Sequence, residues 1–262
     1  MCLPDGFWFR GRHSSELGAA FLVDQWPAAP AASINKYQIG GRHGTVRYPG
    51  AWYQERALSG TLYRLEGGAM DDGAMLRWAA EVAAWLQAGE RGRLALDAAP
   101  DRFYLAEIEG ELHAYTTGWG LGAMDLEWVL QPFAYAAQPS VATVTLSANA
   151  PAAAALRLPG TQEAPVEMEI AASGAVTRVE IQSGGKAMAL EGFALAAGQK
   201  ASVSYALETG EVMAVTINGE AGMRYLTAQS AAPLYALPGN NALTLEADGA
   251  CTALLRARGR WL

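Results

Sequence analysis

The chain has 262 residues, 51% hydrophobic and only 17% charged, with a net charge of −7; it is too apolar for a disordered chain and long enough for two domains. No stretch approaches the roughly 18 uninterrupted apolar residues of a membrane span, and the opening MCLPDGFWFRGR lacks the order of a secretion signal, so a soluble protein made in a cytoplasm is expected. Split near residue 137, the halves carry 11 Lys and Arg against 16 Asp and Glu, then 8 against 10; neither has the basic surplus that phosphate binding requires, which excludes specific nucleic-acid binding.

In chain order, DGFWFRGR alternates polar and aromatic residues and predicts a first strand. The polar run His13, Ser14, Ser15, Glu16 predicts a turn behind it. Trp26 to Tyr53 is rich in Gly, Pro and aromatics with little periodicity; it is the expected arm to a neighbour, although Trp52 or Tyr53 reads equally as core. RALSGTLYRL is a second strand. MDDGAMLRWAAEVAAWLQAGE predicts a helix over about 71–88, with Asp71 or Asp72 capping its start and Gly89 a left-handed cap at its end. Leu76, Ala79, Ala83 and Leu86, with Val82 beside them, form its expected apolar face. RLALD is a strand, and FYLAEIEGELHAYTT is a hairpin or bulged strand around Gly110. In MDLEWVLQ the residues Met124, Leu126, Trp128 and Leu130 share one face, and Pro132 is expected to end the run.

The composition changes after PFAYAAQPS. Seven of the eight tryptophans, at 8, 26, 52, 78, 85, 119 and 128, precede that point, and only Trp261 follows it. Short Val/Thr/Ala-rich strands then recur between turns, and Asn218-Gly219 is a two-residue hairpin signal. This pattern predicts a β-sandwich or jelly roll. The expected domains are residues 1–137, β-rich with one helix, and residues 138–262, a sandwich.

Candidate chemistry is sparse. A triad assembled from His13, Ser14 or Ser15 and Glu16 would need sequence neighbours to converge on a reacting atom, and no nucleophile elbow is present. Asp97 and Asp101 flank a proline turn, and turn formation accounts for both better than calcium does. Glu107, Glu109 and Glu111 alternate as the polar face of a half-buried strand, not as facing catalytic carboxylates. Gly40-Gly41-Arg42-His43-Gly44 matches no phosphate-binding fingerprint. Cys2 and Cys251 show no metal or redox spacing and are expected as thiols. No catalytic, cofactor or metal site is predicted. Arg far outnumbers Lys, which suits interfaces and would equally follow from a GC-rich genome. The function class this leaves is assembly through copies of the chain and neighbouring proteins. The alternative is a carbohydrate-binding module in which Tyr205, Tyr225 and Tyr235 of the second half offer stacking surfaces.

Several segments together resemble the distal tail proteins of long, non-contractile-tailed bacteriophages. FRGRHSSELGAAFL resembles the family's opening strand, Ser-Ser/acidic turn and second strand. IGGRHGTV resembles its Pro-Gly-Arg-Asp-Gly turn, with Gly40 in place of the proline and His43 in place of the aspartate. The helix ending AAWL followed by LALDAAPDRFYLAEIEGEL resembles its helix, strand, acidic turn and aromatic strand. Pro132, Phe133 and Tyr135 in LEWVLQPFAY, and Leu237, Pro238, Gly239 and Asn241 near the end, stand where the family carries the same residues. The resemblance spans 5–135 and, in the second half, the ending alone. It implies an N-terminal β-barrel-like domain with one α-helix and a C-terminal galectin-like β-sandwich. It also implies a hexameric ring, at the tail tip of a phage or prophage virion, joining the tail tube protein to the tail hub protein.

Overall fold

The structure, a computed structural model, describes residues 6–26, 29–38, 43, 45–65, 71–87 and 91–262. It divides into two compact units, Met1–Ala134 with Leu262, and Tyr135–Trp261.

The first unit contains strands β1 (Phe7–Phe9), β2 (Arg12–His13), β3 (Ala19–Gln25), β4 (Ala32–Gln38), β5 (Thr45–Tyr53) and β6 (Arg56–Arg64). Helix α1 (Asp72–Leu86) follows, then β7 (Gly92–Leu96), β8 (Arg102–Ile108), β9 (Ala114–Thr116) and the long β10 (Gly122–Ala136). The main sheet runs β2-β1-β7-β8-β10-β6-β3, with β9 also on β10, and curls as a half-barrel. Its inner face is aromatic. Phe7 stacks on Trp85 at 5.2 Å between centroids, and Phe9 meets Trp128 edge-on at 4.8 Å. Trp85 also donates its indole N–H to the Phe9 carbonyl at 3.0 Å, tying the helix to β1. Such pairs add about 0.5–1.5 kcal/mol beyond their area burial.

Asp71 caps α1 by accepting the Ala74 N–H at 2.6 Å. The buried face is Met75, Trp78, Val82, Trp85 and Leu86. Leu76, expected on that face, points outward and is 71% exposed. The two tryptophans set the register, because they bury far more area than the Leu/Ala row that shares the helical period. The Gly89 cap lies outside the described residues. Along β10 the expected alternation is present: Met124, Leu126, Trp128 and Leu130 are buried, Asp125 and Glu127 exposed. Pro132 does not end the strand, which continues to Ala136. The ladder to β6 stops at Leu130–Arg56, so the missing Pro132 N–H lies beyond that ladder and interrupts nothing in it. β4 and β5 pair with each other as a separate two-stranded sheet.

The second unit contains β11 (Ser140–Leu146), β12 (Ala152–Leu158), β13 (Ala164–Ala172), β14 (Val176–Ser183), β15 (Lys186–Leu195) and β16 (Lys200–Ala206). It ends with β17 (Val212–Ile217), β18 (Glu220–Ala221), β19 (Tyr235–Ala236), β20 (Gly239–Ala247), β21 (Cys251–Ala257) and β22 (Arg260–Trp261). One sheet runs β11-β21-β13-β16-β17-β18 and the other β12-β20-β14-β15. Their inner faces enclose a single apolar core that includes Ile170, Val179, Leu190, Val203, Leu245 and Leu255. This is the expected β-sandwich. Asn218 and Gly219 have φ of 50° and 85° and link β17 to β18, as their hairpin signal predicts.

Candidate functional site

The chemistry-bearing residues of the first unit gather where β1, β2 and β7 meet a short 3-10 turn, Ser14–Leu17. His13 caps that turn. Its Nδ1 accepts the Ser15 N–H at 3.2 Å and lies 2.6 Å from Ser15 Oγ. Glu16 accepts the His13 N–H at 3.1 Å, which completes a capping box. His13 Nε2 stands 3.1 Å from both oxygens of Asp97, and Asp97 also accepts the Gly6 N–H at 3.0 Å.

The polar run His13–Glu16 forms the expected turn, and the contact of Ser15 with His13 is part of its cap. One expectation is corrected here: Asp97 is held not by its own proline turn but by Gly6 and by His13, 84 residues away. Asp101 pairs with Arg102 at 2.9 Å, and this bond first of all holds its carboxyl below the usual range. The two aspartates therefore serve different partners. Among the described residues no group of three or more His, Cys, Asp or Glu stands together as a metal site.

The glutamates also separate. Glu107 is in β8 and binds Arg91 at 2.8 Å, while Glu109 and Glu111 lie beyond the strand end, in the connection to β9. They do not form the polar face of one strand. Gly110 between them has φ of 87°, and the backbone leaves the sheet there. Of the Gly40–Gly44 turn only His43 is described. Cys2 lies outside the described residues; Cys251 is a buried free thiol whose pKa is raised by burial.

The first unit also exposes large aromatics. Trp119 is 90% exposed, Trp26 and Trp52 are each 57%, and Trp8 is 49%. An indole left in water forgoes a burial worth about 2 kcal/mol or more, and such side chains commonly anchor interfaces. Trp26 directly follows β3 and Trp52 lies in β5, whose two-stranded sheet with β4 is marginal by itself.

In the second unit the tyrosines take different places. Tyr205 follows Ala201 and Val203 on the inward side of β16 and is 5% exposed. Its burial, more than nearby Tyr235 and Glu167, pushes its pKa up to about 12. It is a core residue and offers no surface for stacking. Tyr225 packs edge-on against Phe193, and its hydroxyl accepts from Arg224 at 2.9 Å. Tyr235 is half-buried on β19. Asn241 shows why the Leu-x-Pro-Gly-x-Asn segment has its form. Its side chain accepts the Leu237 N–H at 2.8 Å and donates to the Leu237 carbonyl at 2.7 Å and the Gly239 carbonyl at 3.2 Å, closing the turn on itself.

A curled sheet with a helix and an antiparallel β-sandwich, in one chain, define a mainly β, two-unit fold. Among solved structures that fold is similar to the Dit protein of SPP1, described as a paradigm of the hub adsorption apparatus in phages that infect Gram-positive bacteria. The likeness covers 99% of this chain and 100% of that one, with a TM-score of 0.71 and 17% identity. A BuGH86 enzyme in complex with neoagarooctaose matches over 87% of this chain and 34% of its own at a TM-score of 0.22 and 8% identity, too remote to carry an argument. No protein-family model and no curated protein sequence matches the chain.

Proposed function

We propose that the chain is a structural subunit of a phage or prophage tail tip. Its copies close into a ring, hexameric as in the family it resembles, that joins the tail tube protein to the tail hub protein. The observation that carries this is the end-to-end likeness to the SPP1 Dit protein. Supporting it are the exposed tryptophans of the first unit and the separate β4–β5 sheet, both suited to meeting a neighbour. On this reading residues 1–137 build the ring through repeated heterologous contacts, and the sandwich of residues 138–262 is displayed with it. The role is one of binding, with no catalysis and no cofactor. Light scattering and electron microscopy of the purified chain test it: closed rings are expected, and a strict monomer at high concentration would overturn it.

A second reading assigns the sandwich to host glycans. The burial of Tyr205 narrows its stacking surface to Tyr225 and Tyr235. A glycan array probed with the full chain, and with Tyr225→Ala and Tyr235→Ala, separates the readings: sugar binding lost in those variants would favour the second.

A further inference from the structure

Between the 3-10 turn, β6 and α1 of the first unit lies an open pocket of about 470 Å³, lined by Glu16, Leu17, Arg64, Arg77, Trp78 and Glu81 among others. Two of its lining residues, Leu17 and Trp78, belong to the core. Its charges are divided. The two carboxylates are already engaged: Arg12 binds Glu81 at 2.8 Å and Glu16 at 3.7 Å. The two guanidinium groups are not. Neither Arg64 nor Arg77 has a hydrogen bond or an ion pair among the described residues, in a chain whose net charge is −7. A planar fork of this kind matches a carboxylate. A long polyanionic phosphate backbone would instead run past Glu16 and Glu81 on the same rim and be repelled, whereas a short segment with one or two carboxylates can reach the arginine side alone.

The same unit carries the complementary feature elsewhere. Glu109 and Glu111 are exposed in the β8–β9 connection on either side of Gly110. Among the described residues Glu109 meets no Lys or Arg, and the ion partner of Glu111 is His113 at 3.7 Å, both side chains more than three-quarters exposed. Within one copy these glutamates pair with neither Arg64 nor Arg77.

We propose that the pocket takes the Glu109–Glu111 segment of a second copy of the chain, each carboxylate meeting a guanidinium. The pocket and the segment are different surfaces of one protein, so the contact is head-to-tail and repeats from copy to copy. This deepens the ring reading above, on which it rests, by naming the residues that meet.

Charge reversal tests it by sedimentation velocity over a concentration series. One variant carries Arg64→Glu and Arg77→Glu, the other Glu109→Lys and Glu111→Lys. The wild type is expected to associate, and each variant alone to need about tenfold or more higher concentration to do so. An equal mixture of the two should regain association, because every pocket then faces a segment of opposite sign. One chain carrying all four changes should regain it as well. Should Arg64→Glu disturb folding by circular dichroism, Arg77→Gln on the exposed helix surface reads the same loss more mildly. Variants that associate like the wild type would overturn the contact and leave the ring standing. A folded pair that stays apart on mixing would also overturn the contact. A wild type that never associates would overturn the contact and the ring together.

Discussion

Two tryptophans of the first unit differ in one atom's surroundings, and that difference predicts opposite responses to the same substitution. Trp85 donates its indole N–H to the Phe9 carbonyl at 3.0 Å. Trp128 is 0% exposed, and its indole nitrogen has no hydrogen-bond partner among the described residues. Replacing either with Phe removes roughly 40 Å³, which at about 24 cal/mol per Å³ of residual cavity costs about 1 kcal/mol. Trp85→Phe also loses a hydrogen bond worth about 1 kcal/mol, for a total near 2 kcal/mol. Trp128→Phe instead relieves a buried, unpartnered donor whose desolvation costs about 1–3 kcal/mol, so against the same cavity cost its net change should run from about zero to about 2 kcal/mol of stabilisation. Urea unfolding followed by tryptophan fluorescence reads this almost solely in the first unit, since seven of the eight tryptophans precede residue 138. Equal m values would confirm that stability itself changed. A Trp128→Phe chain less stable than Trp85→Phe would refute the reasoning.

Tyr205 ionises near 12 when folded and about 10 when unfolded, so between those pH values the unfolded chain releases its proton first. Stability of the second unit should then fall by about 2–3 kcal/mol from pH 10 to 12 relative to Tyr205→Phe, and parallel melting curves for the two would contradict this. Asn241→Ala should cost about 2–4 kcal/mol in thermal or denaturant unfolding, because it removes the clasp on Leu237 and Gly239 at a 9% exposed position. Gly160 has φ of 116°, and an added Cβ would stand 2.1 Å from the Arg260 carbonyl oxygen. Gly160→Ala should therefore destabilise by about 3 kcal/mol or more, and a stability loss under 1 kcal/mol would show that the backbone can move aside there.

Local signals in the sequence were legible where a few adjacent residues decide the structure. Asp71 as a helix cap, the β10 alternation and the Asn218-Gly219 hairpin are all of this kind. The helix face was misread because Leu76 and the alanines share the helical period with Trp78 and Trp85, and period alone does not rank side chains by the area they bury. Tyr205 could have been placed in the core from its alternation with Ala201 and Val203. The engagement of Asp97 with His13 and Gly6 was not legible, because 84 and 91 residues separate the partners and only the β1–β7 pairing brings them together. The pocket holding Arg64 and Arg77 was hidden for the same reason: it draws on a 3-10 turn, a strand and a helix far apart in the chain.

The place proposed for the chain is the junction of tail tube and hub in a phage particle. Immunogold labelling of purified particles with antibody against this chain tests it most directly. Label confined to the end of the tail distal to the capsid is the predicted result. Label on the capsid or along the whole tail would contradict the account, as would intact particles that lack the chain.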